Sequence, residues 1–412
     1  MFKRFSVHQF DNGLTVVLEQ MPTAISTAVG FYVKTGARLE DARLDGVSHF
    51  LEHLLFKGTA TRTWRDINRE FDQMGARYNA FTDYEETCYY AWVLNEETSR
   101  ALELFSDMLQ PALPPDEFEN EKRVVLEEIA RCHDLPERMA FDAAMKLAFA
   151  GQRLGSAIIG TRKTVERLTR AQLLAYYQAR YVPANIIVFA CGNVNESRLL
   201  TDIEKLWCER HGPCVKLTPA PAVFCPGKKI ICQRNIARQH LVMMWPTLPL
   251  EHQRSPAAAL LGAILGDDRN SRLYWALKHS GLAEEAGAGY WGFRDAGLIT
   301  AQAACDPVNA GRVVTILRKE AAKLKKGIRQ DELQRVKNRA RTALIFAAET
   351  PFDRFQQLIQ QWSLRRELLT PEEMLARVEE ITLDDLYELL AQYPLDATSA
   401  LVALGPVKRL NS

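Results

Sequence analysis

The sequence predicts an α+β protein made of two homologous α/β-roll domains, each a mainly antiparallel sheet with helices packed on one side. Three observations carry this expectation. The chain has 412 residues, enough for two or three domains at about 150 residues each. A proline-rich break at residues 209–228 holds Pro213, Pro219, Pro221 and Pro226, which resist both helix interiors and central strands. The segments on either side of that break run through the same order of strand and helix patterns. The expected division is therefore 1–210, a linker over 211–228, and 229–412.

In the first half, Leu14–Gln20 and Ile25–Val33 are strand-like runs rich in Val and Thr. Helical runs follow at Val47–Phe56 and Arg65–Met74, then strands at Arg77–Phe81 and Thr87–Val93. Long helical patterns occupy Glu97–Leu109 and Pro115–Cys132, and the apolar strand Ile186–Cys191 closes the half. The second half repeats this with strands at Lys229–Gln233 and His240–Trp245 and helices at Pro256–Leu265 and Ser271–His279. Strands near Glu285–Gly292 and Gly297–Ala303, helices near Val308–Lys325 and Arg329–Ala347, and a strand at Ser399–Leu404 complete it. Strands in hairpins with helices grouped beside them predict α+β layers, not an alternating parallel fold.

Composition excludes several classes. Hydrophobic residues make up 47% and charged residues 25%, which is ordinary for a globular chain. The formal charge is +1, so the broad basic field of a nucleic-acid binder is missing. The apolar stretch Ala257–Gly266 is about half the roughly 20 residues of a transmembrane helix. The opening MFKRFSVHQFDNGLTVVLEQ has no signal-peptide apolar core, and the simple expectation is a cytoplasmic protein or one whose leader has been removed. The eight cysteines form no CxxC and read as reduced, mostly buried thiols.

The informative segment is GVSHFLEHLLFKGT, residues 46–59. His49 and His53 are four apart, so on a helix they lie within about 40° of each other on one face. That is the arrangement two imidazoles need to bind one metal ion, and zinc suits a nitrogen-rich site with an open position. Glu52 is next to His53, poorly placed as a further ligand and well placed as a general base on a water. An H-x-x-E-H string arises by chance in about one chain of this size in a hundred. A third ligand is required, and ENEKRVVLEEIARCHD (119–134) offers Glu127 and Glu128 on a long helix. Glu121 lies seven residues before Glu128, almost two turns, and shares its face; periodicity alone does not choose between Glu127 and Glu128.

The inverted motif His49-x-x-Glu52-His53, a glutamate 75 positions later and the two-half repeat resemble the inverted-motif zinc peptidases, the superfamily of pitrilysin, insulin-degrading enzyme and mitochondrial processing peptidase. The length resembles the short branch that includes the processing-peptidase β subunit and bacterial homologues. The resemblance implies a metalloendopeptidase with one Zn²⁺ per chain, held by His49, His53 and Glu128, with Glu52 as base and Glu121 supporting from behind. It implies that Asn79 and Ala80, in YNAFTDYEETCYY, contact an extended peptide added to a strand edge. It also implies half of a clamshell, completed by a second copy or a related subunit into a chamber for peptides or unfolded segments. One departure stands out. Many relatives carry an Arg and a Tyr near a Gly-Leu pair in the second domain, thought to hold the substrate carbonyl; aligning on Gly281-Leu282 puts Leu277 and Glu284 there. A non-catalytic subunit, or one that needs a partner to supply this clamp, is the competing expectation.

Overall fold

The computed structural model describes residues 4–212, 219–267 and 269–410. Its first half contributes strands β1 (Phe5–Gln9), β2 (Thr15–Gln20), β3 (Ser26–Val33), β4 (Arg77–Thr82), β5 (Thr87–Leu94) and β6 (Ile186–Gly192). They form one sheet in the order β1-β2-β6-β3-β5-β4. Only the β2–β6 pairing is parallel. Strands β7 (Gly227–Cys232), β8 (Gln239–Thr247), β9 (Glu285–Gly292), β10 (Gly297–Cys305) and β11 (Ala400–Gly405) form a second sheet, β7-β11-β8-β10-β9. There too a single pairing, β7–β11, is parallel. Apart from β1 the two sheets have the same topology, so the repeat expected from the sequence is present as structure.

The helices are α1 (Val47–Leu55), α2 (Trp64–Gln73), α3 (Thr98–Met108), α4 (Pro115–His133), α5 (Pro136–Ala148), α6 (Arg162–Arg167), α7 (Arg170–Arg180), α8 (Glu196–Trp207), α9 (Ser255–Gly266), α10 (Ala310–Lys323), α11 (Gln330–Ala347), α12 (Pro351–Arg365), α13 (Pro371–Glu379) and α14 (Leu383–Gln392). A π-helical turn covers Tyr274–Lys278. None is long and apolar enough to cross a membrane.

The compact units are not the contiguous halves expected from the linker. The first comprises Met1–Ala130, Ser156–Pro219 and Phe346–Leu368; the second comprises Arg131–Gly155, Ala220–Ile345 and Leu369–Ser412. Thus α12, late in the chain, belongs to the first unit, and α5, early in the chain, belongs to the second. Of the expected linker, residues 213–218, Pro213 and Cys214 among them, lie outside the described residues.

In the first unit, α2, α3 and α8 cover one face of the sheet, where the Phe31 ring meets those of Phe105 and Trp207. The opposite face is not bare: Phe355, Leu358 and Ile359 of α12 pack on Val17, Ala28, Tyr32, Ile187 and Phe189. In the second unit the core joins Leu241, Met243, Trp245, Ile299, Ala301, Leu401 and Ala403 of the sheet to residues of α9, α10 and α14. Helix α5 lies against β8 and β11. Cys88, Cys191 and Cys305 are buried, while Cys208 and Cys232 are exposed, so the expectation that most thiols are buried is not met; none of those described is in a disulfide.

Helix α12 also brings Arg354 to Glu19 of β2, with Nε 3.0 Å from each carboxylate oxygen and Nη2 2.7 Å from Oε2. Both residues are 0% exposed. Partly exposed Arg4 also pairs with Glu19, at 2.9 Å, so removing Arg354 leaves the buried carboxylate with that one partner and loses the buried part of the pairing. Arg354→Ala is expected to destabilise the protein by about 3–5 kcal/mol, and Arg354→Met combined with Glu19→Leu by much less. Urea denaturation of the parent and the two variants checks this, and a double variant no more stable than the single one contradicts it.

Candidate metal centre

Helix α1 begins at Gly46, which has φ +92°; a Cβ there would sit 2.6 Å from the Ile159 carbonyl oxygen, so both conformation and space select glycine. The buried Glu40 carboxylate accepts from the Gly46 and Ser48 amides, each at 2.8 Å. It thereby satisfies amides that a helix start leaves without partners. The Ser48 hydroxyl lies 2.7 Å from the Tyr176 hydroxyl, which is also 2.7 Å from Thr35 Oγ1; burial pushes the Tyr176 phenol up to about 12. Val47, Phe50, Leu51, Leu54 and Leu55 are buried. The remaining face carries His49, Glu52 and His53, all half-buried.

Helix α4 buries Phe118, Glu121, Val125 and Ile129, a spacing that turns Glu128 toward α1 and leaves Glu127 exposed. Glu128 Oε2 is 3.8 Å from His49 Nε2 and 3.5 Å from His53 Nε2. The two imidazole centroids are 4.7 Å apart. Among the described residues, this trio is the cluster of His, Cys, Asp or Glu able to hold a metal ion, its ligand atoms all within 4.8 Å of one another.

The donor set fits zinc. Ligands about 2.0–2.1 Å from a tetrahedral ion lie about 3.4 Å from one another, close to the two separations measured here. Glu121 Oε1 is 2.8 Å from His53 Nδ1, and its other oxygen is 2.6 Å from Lys57 Nζ. The tautomer that donates from Nδ1 to Glu121 leaves the Nε2 lone pair toward Glu128. Against the cost of burial, the hydrogen bond and charge of Glu121 hold the His53 imidazole above its ordinary value, with Glu52 and Glu128 adding to the pull. Burial, reinforced by the Glu128 charge, raises the Glu52 carboxyl, while the Thr82 hydroxyl lowers it; the raising effects win. Three carboxylates around two imidazoles make a site that favours a cation.

The other expected residues fall as follows. Asn79 and Ala80 lie on β4, at the sheet edge. Asn79 is exposed and its Oδ1 accepts from the Ala80 amide at 2.9 Å, so the side chain caps the strand's own backbone. Leu277 is fully buried in the second unit's core. Glu284 forms a two-pronged ion pair with Arg238. Arg272 pairs with Glu332 and the Tyr290 hydroxyl donates to the Leu248 carbonyl. Helix α9, SPAAALLGAILG, carries no metal-ligating side chain. Two contacts went unforeseen: Lys57 at Glu121, and Thr82, which donates to Glu52 Oε2 at 2.6 Å. The first had a local signal, since Lys57 is four residues after His53; the second, thirty residues apart in sequence, had none.

The sequence matches the family described as insulinase, peptidase family M16, over residues 15–162. It matches the one described as the peptidase M16 inactive domain over residues 167–340. A Bacillus subtilis protein named uncharacterized zinc protease YmxG is 31% identical over 353 residues, 85% of each chain. The chain belongs to peptidase family M16. Another relative, a Rickettsia felis protein named uncharacterized zinc protease, is 29% identical over 94% of each chain. In fold the chain matches a protease crystal structure from Helicobacter pylori, with TM-score 0.91, 23% identity and 98% and 100% of the two chains covered. It also matches a chain of complex III2 from Candida albicans, with TM-score 0.86, 18% identity and 99% and 97% covered.

Glu121→Gln is expected to weaken zinc binding by about 10- to 100-fold, as loss of an outer carboxylate typically does, while Glu127→Gln leaves it unchanged. A competition titration against a chromophoric chelator measures both. Equal effects from the two variants would contradict the placement of Glu121.

Proposed function

We propose that this chain is a zinc-dependent endopeptidase acting on peptides or unfolded protein segments. The observation that carries the reading is the meeting of His49, His53 and Glu128 on one half-buried surface, with Glu52 beside them. These three side chains would hold one Zn²⁺. When bound, the ion would lower the pKa of a coordinated water to about 7 and polarise a substrate carbonyl. Glu52, beside the three ligands, would take the proton of the attacking water and return it to the leaving amine. Glu121, backed by Lys57, holds the His53 ring. An extended substrate would add to the free edge of β4, where Asn79 must release the Ala80 amide for main-chain pairing.

A second reading concerns assembly, and Leu277 and Glu284 favour it. A buried leucine cannot donate a hydrogen bond, and a carboxylate engaged by Arg238 repels an oxyanion. The chain would then be one half of a dimeric chamber whose related partner supplies the carbonyl clamp.

Glu52→Gln is expected to keep the metal and lose peptide hydrolysis by about 10²- to 10⁴-fold. Mass spectrometry of an unstructured peptide, with and without chelator, reads the loss. The chain is assayed alone and mixed with a related subunit. Cleavage by Glu52→Gln at the parental rate would remove Glu52 as the base.

A further inference from the structure

Glu52 is not held by its own helix alone. Its Oε2 accepts from Thr82 Oγ1 at 2.6 Å, the short range typical of a hydroxyl on a carboxylate. Thr82 is the last residue of β4, and the turn that follows is pinned. The Asp83 carbonyl accepts from the Ala37 amide at 3.1 Å and the Tyr84 carbonyl from the Arg38 amide at 2.7 Å. Buried Arg38 pairs with Glu85 at 2.6 Å, Tyr32 donates to Glu86 at 2.7 Å, and Thr87 donates to the Thr35 carbonyl at 2.9 Å. A Cβ on Gly36 would come within 2.2 Å of the Asp83 oxygen, so the segment lies backbone against backbone on the turn.

The same segment holds the start of α1, through Glu40 on the Gly46 and Ser48 amides and through Thr35 to Tyr176 and Ser48. Residues 35–40 thus fix both the strand end that carries Thr82 and the helix that carries Glu52. A hydrogen bond this well anchored from both sides does more than satisfy a hydroxyl that could equally bond to solvent.

We propose that Thr82 is a positioning residue which, by occupying Oε2 of Glu52, fixes the carboxylate and assigns proton transfer to Oε1. This rests on the peptidase reading for its consequence in turnover, though not for the placement of Glu52. A carboxylate oxygen that already accepts a strong hydrogen bond is the weaker base of the two. Without the hydroxyl, Glu52 turns about its terminal bond, whose torsional wells are broad. Because Thr82 and Ala80 lie on one strand, a chain paired to β4 also meets Oε1 at a set register.

Thr82→Val and Thr82→Ser test the assignment in the zinc-loaded protein, in whichever assembly cleaves peptide. The valine variant is expected to lose about 10- to 100-fold in kcat, as a misplacement near 1 Å does. Its KM should stay within about twofold, with unchanged zinc stoichiometry. The serine variant restores most of the rate, and in the Glu52→Gln background valine costs nothing further. Crystal structures of the two zinc-loaded variants give a readout independent of turnover: Glu52 leaves its place in the valine variant and keeps it in the serine variant. A valine variant with parental kcat, a loss confined to KM, a serine variant that fails to recover, or an unmoved Glu52 overturns the proposal. A parent protein that cleaves no peptide in any assembly defeats the peptidase reading instead, and the crystal structures still decide where Thr82 holds Glu52.

Discussion

The candidate centre depends on where α1 begins, and a buried carboxylate sets that point. Glu40 accepts from two amides at the helix start, where the unsatisfied N–H groups and the helix dipole both favour negative charge. Begun one residue later, the helix would rotate by about 100°, carrying His49 and His53 away from Glu128. Gly46 makes the turn into the helix with a left-handed backbone and no side chain, against the Ile159 carbonyl. The apolar residues of α1 then have one way to reach the core, and the two imidazoles are left where α4 brings its carboxylates. Helix burial and metal-site geometry are thus one constraint.

The two sheets show what duplication kept and what it released. Topology is preserved down to the single parallel pairing in each. In the first unit the helix opposite the edge strand carries polar groups, and Glu52 reaches Thr82 across the gap. In the second unit α9 meets β9 through Gly262 and Gly266, where an added Cβ would fall 2.8 Å from the Gly289 backbone and 2.1 Å from the Ala288 amide. Such close approach leaves no room for a ligand side chain on that face. The second unit uses the same architecture for tight helix–strand packing, and its helix is correspondingly apolar on nearly every side.

Much of this was legible in the sequence, because strands and amphipathic helices announce themselves by local periodicity. The expected sheet strands from Leu14–Gln20 to Ser399–Leu404 all find counterparts, and the His49, Glu52 and His53 spacing placed three groups on one helix face. Helices α12 to α14 carried readable starts, since Thr350-Pro351, Thr370-Pro371 and Thr382 precede them and all three threonines cap. What local pattern could not give was partnership across the chain. An amphipathic helix does not say which sheet it will cover, so the exchange of α5 and α12 between the compact units was invisible. Glu127 and Glu128 differ by one step of rotation, and only the burial of Phe118, Val125 and Ile129 decides between them. Thr82 and Glu52 are thirty residues apart, a separation at which no spacing rule operates.

The departure at Leu277 and Glu284 is now a matter of packing as well as identity. Leu277 sits in the second unit's core with Leu273 and Leu261, so a guanidinium at that position would have to leave the core or be buried without a counter-charge, at a cost of several kcal/mol. Glu284 is committed to Arg238, whose guanidinium also lies 3.8 Å from Asp306; a tyrosine there would dissolve that ion pair. The second unit has therefore settled around residues that cannot serve as carbonyl donors, whereas the first unit keeps a layered arrangement around Glu52 and His53 in which each functional group has its own support. In the first unit Lys57 holds Glu121, Thr82 holds Glu52 and Glu40 holds the start of α1, three separate supports around His53 and Glu52, whereas Leu277 and Glu284 are committed to core packing and to an ion pair of their own.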